Sequence, residues 1–186
     1  DQKIFSMQEL KNKGFSQYKV SQLVSDGHLI KLNKSYYENS KYCGEESDFY
    51  YVDAYTPNGV ICLLSAAVYY HLTTFIPDAI DVAIRRKSKI STKPIWPQMN
   101  IYHYTNARYE LGIKTVKQGK NKFSIYDIEK TVVDIVFYRE NVGIEETKEI
   151  FTTYLQRKDR NLNRLLKYAK LMKCETTIRQ YLEVLV

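Results

Sequence analysis

Hydrophobic and polar positions along the chain change period several times, and each change marks an element. Ser6-Met7-Gln8-Glu9 fits a capping box, with Phe5 and Leu10 placed as a hydrophobic staple, and Gly14 stops the helix that follows. Ser16 caps a second helix after a short Gly14-Phe15-Ser16 connection. Val20, Leu23 and Val24 form its inner face, and it ends at Gly27. His28–Leu32 then reads as a strand, Asn33-Lys34-Ser35 as a tight turn and Tyr36-Tyr37 as a return strand. The tract from Val60 to Leu72 is apolar nearly all round and predicts a buried helix, with His71 at its end as a core or boundary histidine rather than a ligand. Four strands follow, over Asp81–Arg86, Asn100–Thr105, Ile113–Lys117 and Lys122–Ile125. The helix over Asp127–Tyr138 has Ile128, Val132, Ile135 and Val136 inward, and Lys130 and Asp134 are expected to pair on its surface. Gly143 breaks it, and three more helices are expected over 144–155, 159–172 and 175–186.

These elements predict an α+β chain: an N-terminal winged helix-turn-helix over 1–42, a linker over 43–56, and a mixed α/β domain over 57–186 with a small sheet and a C-terminal helical segment. An ordinary helical hairpin has the same spacing as the two short helices, but a β-hairpin directly after the second helix is the position of a wing. A winged helix carries a further helix before the capped one. Only five residues precede Ser6 and the chain opens on Asp1, so that helix is expected upstream in the natural product.

Charge sharpens this picture. The net charge is +7, but residues 43–84 contain six acids and no Lys or Arg, whereas 85–122 carry ten basic residues against Glu110 alone. A concentrated basic tract beside an acidic one suits a polyanionic partner, with a basic protein partner as the other option. In a major groove the second helix would lead with Gln17, Tyr18 and Lys19, followed by Ser21 and Gln22. Lys31, Lys34 and Tyr36 would bring the hairpin to the backbone. Glutamine can read adenine through two hydrogen bonds, whereas Lys and Tyr more often hold phosphate. A second basic surface is expected from Arg85, Arg86, Lys87 and Lys89 together with a stripe of Arg157, Arg160, Arg164 and Lys167. Solvated surface charge is the bland reading of both.

Other chemistry is sparse. Cys43, Cys62 and Cys174 are an odd number without CxxC spacing, so neither a disulfide framework nor a zinc site is expected. No glycine-rich phosphate loop or GxSxG is present, and no metal, cofactor or catalytic residue is expected. Asp78 and Asp81 beside a strand are compatible with a Mg²⁺-dependent nuclease, but the nearest acid-x-Lys, Glu146-Thr147-Lys148, lies far away in a helical stretch. No apolar run approaches the ~18–20 residues that cross a bilayer, so no membrane partner and a cytoplasmic location are expected.

Four segments, "DGHLIKLNKSYY", "GVICLLSAAVYYHL", "PDAIDVAIRR" and "YDIEKTVVDIV", occur in an order that resembles the AbiEi-type antitoxins of type IV, abortive-infection toxin–antitoxin systems. Two positions depart from that pattern: Ser35 stands where the wing turn usually has Gly, and Lys130 stands where the helix motif has Arg. The resemblance spans nearly the whole chain. It implies a winged helix that binds inverted repeats in the promoter of its own operon and represses it. It also implies a C-terminal domain that opposes a nucleotidyltransferase-like toxin without needing a stable complex, with a share in DNA contact open to it. The alternative is a plain regulator whose second domain senses a ligand or mediates assembly.

Overall fold

The computed structural model describes residues 2–90, 92 and 94–185. Asp1, Ser91, Lys93 (part of the basic tract) and Val186 (the expected end of the last helix) lie outside the described residues. The chain is a mixed α+β protein with ten helices and two sheets, of three and five strands, among the described residues.

The N-terminal part begins with a strand that periodicity did not reveal, β1 (Ile4–Ser6), followed by α1 (Met7–Asn12) and α2 (Gln17–Ser25). The hairpin of β2 (Leu29–Lys31) and β3 (Tyr36–Asn39) comes next, and β3 lies between the other two strands, antiparallel to both. The capping box forms as read: the Ser6 hydroxyl accepts from the Glu9 N–H, and the Glu9 carboxylate accepts from the Ser6 N–H at 2.7 Å. Gly14 takes a left-handed φ of +87°, which lets the Phe15 N–H reach back to the Leu10 carbonyl and packs Phe15 beside Leu10. Leu10, Val20, Leu29 and Tyr37 form this part's small core.

Residues 43–56 are not a loose connection. Asp48–Tyr51 form a 3-10 turn that runs into α3 (Val52–Tyr55), and Tyr50, Tyr51, Val52, Ala54 and Tyr55 are buried. The charged and aromatic composition suggested a linker, but the aromatics face inward. Phe49 and Tyr50 pack on Phe123 of the main sheet, while Tyr51, Ala54 and Tyr55 receive Ile4, Leu32 and Tyr36 from the N-terminal part.

The main sheet has the order β6-β5-β4-β8-β7: β4 (Val60–Ile61), β5 (Ile80–Arg85), β6 (Met99–Tyr104), β7 (Ile113–Gln118) and β8 (Asn121–Tyr126). The apolar run at 60–72 therefore divides. Val60 and Ile61 are a central strand, and only Leu63–Tyr69 form the helix α4. A strand buried on both faces has no polar alternation to betray it, which is why the run reads as one helix. Val60 and Ala83 face one core, while Ile61, Val82 and Ile84 face the other. The helix ends two residues before His71, which is exposed and takes the left-handed position (φ +55°) after the cap, its N–H donating to Val68. It is a turn residue, not a core one.

Between β6 and β7 lies α5 (Asn106–Tyr109). The last third of the chain is helical: α6 (Ile128–Phe137), α7 (Arg139–Val142), α8 (Ile144–Gln156), α9 (Leu162–Leu171) and α10 (Glu175–Leu185). The helix α6 packs against α4, α8, α9 and α10, with Tyr104 and Tyr126 of the sheet against Lys130, so its polar positions are enclosed as well as its apolar ones. Lys130 and Asp134 are accordingly paired with both side chains fully buried, not on the surface. Among the described residues no helix is long and apolar enough to cross a membrane.

Candidate nucleic-acid interface

The helix α2 buries one side only. Val20 is fully inside and Leu23 and Val24 are half-buried, leaving Gln17, Tyr18, Lys19, Ser21 and Gln22 exposed together. Its start is fixed by the Ser16 hydroxyl, which accepts from the Lys19 N–H. The exposed side chains form a loose chain along the surface. The Lys19 ammonium donates to Gln22 Oε1 at 3.4 Å, and Gln22 Nε2 donates to the Tyr18 hydroxyl at 3.3 Å. Such long, solvated bonds open at little cost, so these donors and acceptors can be redirected to a ligand.

Lys31 ends β2 and Lys34 sits in the hairpin turn, both exposed. The turn is shaped by Asn33, whose Oδ1 accepts from the backbone N–H groups of Ser35 and Tyr36 at 2.9 and 3.1 Å. Ser35 has no left-handed φ, so glycine is not required there. Asn33 also ties the turn to the body of the molecule, donating through Nδ2 to the Ala54 carbonyl at 2.8 Å. Among the described residues Lys19, Lys31 and Lys34 enter no ion pair.

Tyr36 departs from its expected place. Its ring packs on the Tyr51–Tyr55 cluster and its hydroxyl donates to Asp53 at 3.5 Å. Burial, then Asp53 and Glu9, push its phenol up to about 12. It is a joint residue and does not belong with the exposed set.

The second basic surface divides likewise. Arg85, Arg86, Lys87 and Lys89 are exposed at and beyond the end of β5, but Arg85 is paired with Glu110 and stacked on Tyr109 at 4.6 Å. In the stripe, Arg157 grips Asp159 with two hydrogen bonds and donates to the Tyr70 carbonyl. Arg160 donates to the Arg157 carbonyl, and Arg164 reaches the buried Glu129 at 3.4 Å. Lys167 is exposed. Three of the four thus hold local structure, and no ion pair or side-chain hydrogen bond among the described residues links this stripe to 85–89.

Asp81, the residue behind the nuclease reading, is a structural cap. Its Oδ2 accepts from the Leu64 N–H, and its Oδ1 from Asn100 Nδ2 at 3.1 Å and the Tyr102 hydroxyl at 3.3 Å. It holds the strand-to-helix junction where Leu63 adopts φ +44°, a conformation that is costly for a leucine. Burial raises its carboxyl despite these donors. Among the described residues no three His, Cys, Asp or Glu side chains are grouped to hold a metal. Cys62 is buried and burial pushes its thiol up, the opposite of what a nucleophile needs.

Residues that periodicity passed over join the N-terminal part to the sheet. The Lys3 N–H donates to Asn121 Oδ1 at 2.7 Å, Asn121 Nδ2 donates to the Tyr42 hydroxyl, and the Lys3 ammonium bridges Glu38 and Glu46. The only sequence cue was the turn at Gly119-Lys120-Asn121, which says nothing about what the Asn side chain meets.

No protein-family model matches the chain, and neither does any curated protein.

Proposed function

We propose that residues 1–42 are a winged helix-turn-helix that binds double-stranded DNA, with α2 entering the major groove and Lys31 and Lys34 lying along the backbone. The observation that carries this reading is the exposed face of α2, which gathers two glutamines, a tyrosine, a lysine and a serine over a helix anchored on its other side. The element order supports it. A strand, two helices joined by a short turn, and a hairpin whose return strand pairs with the first strand make a helix-turn-helix with an attached wing.

The resemblance to AbiEi-type antitoxins extends the reading to an autorepressor of its own promoter, with a non-enzymatic C-terminal domain that opposes a nucleotidyltransferase-like toxin. Growth rescue from the neighbouring toxin by this chain tests that extension, and failure to rescue leaves a plain regulator.

DNA binding is tested by anisotropy with promoter DNA across a salt series. Each lysine–phosphate contact contributes a slope of about −0.9 in log K against log salt, so Lys19, Lys31 and Lys34 together contribute about −3 per protein. Lys19→Ala or Lys34→Ala is expected to weaken binding to all sequences and to lower the slope by about 1. Gln17→Ala or Gln22→Ala is expected to cost about 1–3 kcal/mol on the preferred site only. A salt-independent affinity, or four variants that bind like the parent, overturns the assignment of α2.

A further inference from the structure

A groove of about 720 Å³ runs beneath the loop between α4 and β5. Phe49, Val68 and Pro77 line it, and Ile76 and Trp96 stand on its rim, 82% and 58% exposed. An adjoining cleft shares Pro77 and Asp78 with it and adds Phe75. Large apolar side chains gathered at one concave surface mark a contact site more often than chance exposure does.

These side chains are held in place from behind. Glu149 of α8 accepts from the Thr74 N–H at 3.0 Å and from the Thr73 hydroxyl at 2.9 Å, pinning the loop just before Phe75 and Ile76. The Trp96 ring sits edge-on to the buried Tyr51 at 5.5 Å. Anchors already ordered in the unbound protein lose little freedom on docking.

The rim charge is of one sign. On a chain of net charge +7, the charged residues among the groove's described lining are Glu46, Asp48 and Asp78. Glu46 is shared with Lys3, while Asp48 and Asp78 enter no ion pair among the described residues. Burial, and then Glu46, hold the Asp48 carboxyl above its ordinary value. A polyanion is repelled here, so the groove is not an extension of the DNA surface.

We infer that this groove docks an amphipathic segment of a partner protein, one whose apolar side chains fill it while flanking lysines or arginines meet Asp48 and Asp78. The inference does not depend on the DNA reading.

Trp96 is the sole tryptophan and therefore a built-in reporter. The full chain is titrated with a synthetic amphipathic Leu/Lys helix and with its Leu/Glu counterpart, following emission wavelength and acrylamide quenching. The expected result is a saturable blue shift and protection with the Leu/Lys peptide alone. Its affinity is expected to fall at least tenfold in the D48N/D78N double variant and in Ile76→Ala, with circular dichroism unchanged. Equal response to both peptides, no response, or unchanged affinity in both variants overturns the inference. A blue shift that grows with protein concentration without peptide, together with a rising mass in light scattering, assigns the groove to a second copy and also overturns it.

Discussion

The buried pair of Lys130 and Asp134 shows how far one residue's setting can depart from its pattern. Spacing alone puts them four apart on a helix, where they would help by a few tenths of a kcal/mol. In the structure both are fully enclosed, with the ammonium over the Tyr126 ring at 4.2 Å and the Tyr104 ring at 5.0 Å. Burial pushes the lysine down and the aspartate up, each toward its neutral form. Among the described residues Asp134 Oδ1 and the Tyr104 hydroxyl are buried without a hydrogen-bond partner. Gly112, at φ +75°, lies so close that a Cβ there would stand 2.8 Å from Lys130 Cβ. Lys130→Met leaves an unpaired buried carboxylate and is expected to cost about 3–5 kcal/mol in urea denaturation. Replacing both, Lys130→Met with Asp134→Leu, is expected to recover most of that loss. The pairing was legible in the sequence. Its burial was not, because enclosure depends on α8 to α10, which lie distant in the chain.

At the level of elements, those with local signals were read closely. The caps at Ser6 and Ser16 form as the sequence implied, and the β7–β8 hairpin turns where Gly119 placed it. The errors share a cause. The strand β1 is only three residues long and exists because β3 pairs with it, while β4 is two residues flanked by strands from other parts of the chain. Short strands are created by their neighbours, and a single sequence window cannot see those. A similar non-local tie holds α9. Glu129 accepts from the Asn161 N–H at 3.1 Å and from the Tyr154 hydroxyl at 3.4 Å, and it also meets Arg164. Removing this buried acceptor in Glu129→Ala is expected to cost about 1.5–3 kcal/mol. Faster amide exchange in the first turn of α9 should accompany the loss, whereas the N-terminal helices should be unaffected.

At the scale of the whole molecule, the exposed face of α2 was fully legible, because amphipathic spacing states which side of a helix is left over. The coupling between the two parts was not. The hairpin tip is bound to α3 through Asn33, and β1 is bound to the β7–β8 turn through Lys3 and Asn121. Asn121→Ala removes both of that side chain's bonds across the joint and strands the Lys3 amide, at an expected cost of about 1–3 kcal/mol. NMR relaxation should then show residues 2–40 reorienting faster than the sheet, whereas in the parent both are expected to reorient at one rate. The same joint bears on inheritance. Cut away after residue 42, the N-terminal part would turn Ile4, Leu32 and Tyr36 out to water, where they now meet Tyr51, Ala54 and Tyr55. A gene fusion that moved this segment onto another protein would therefore carry a sticky raw edge, and evolution can exchange the two halves only by remaking the seam.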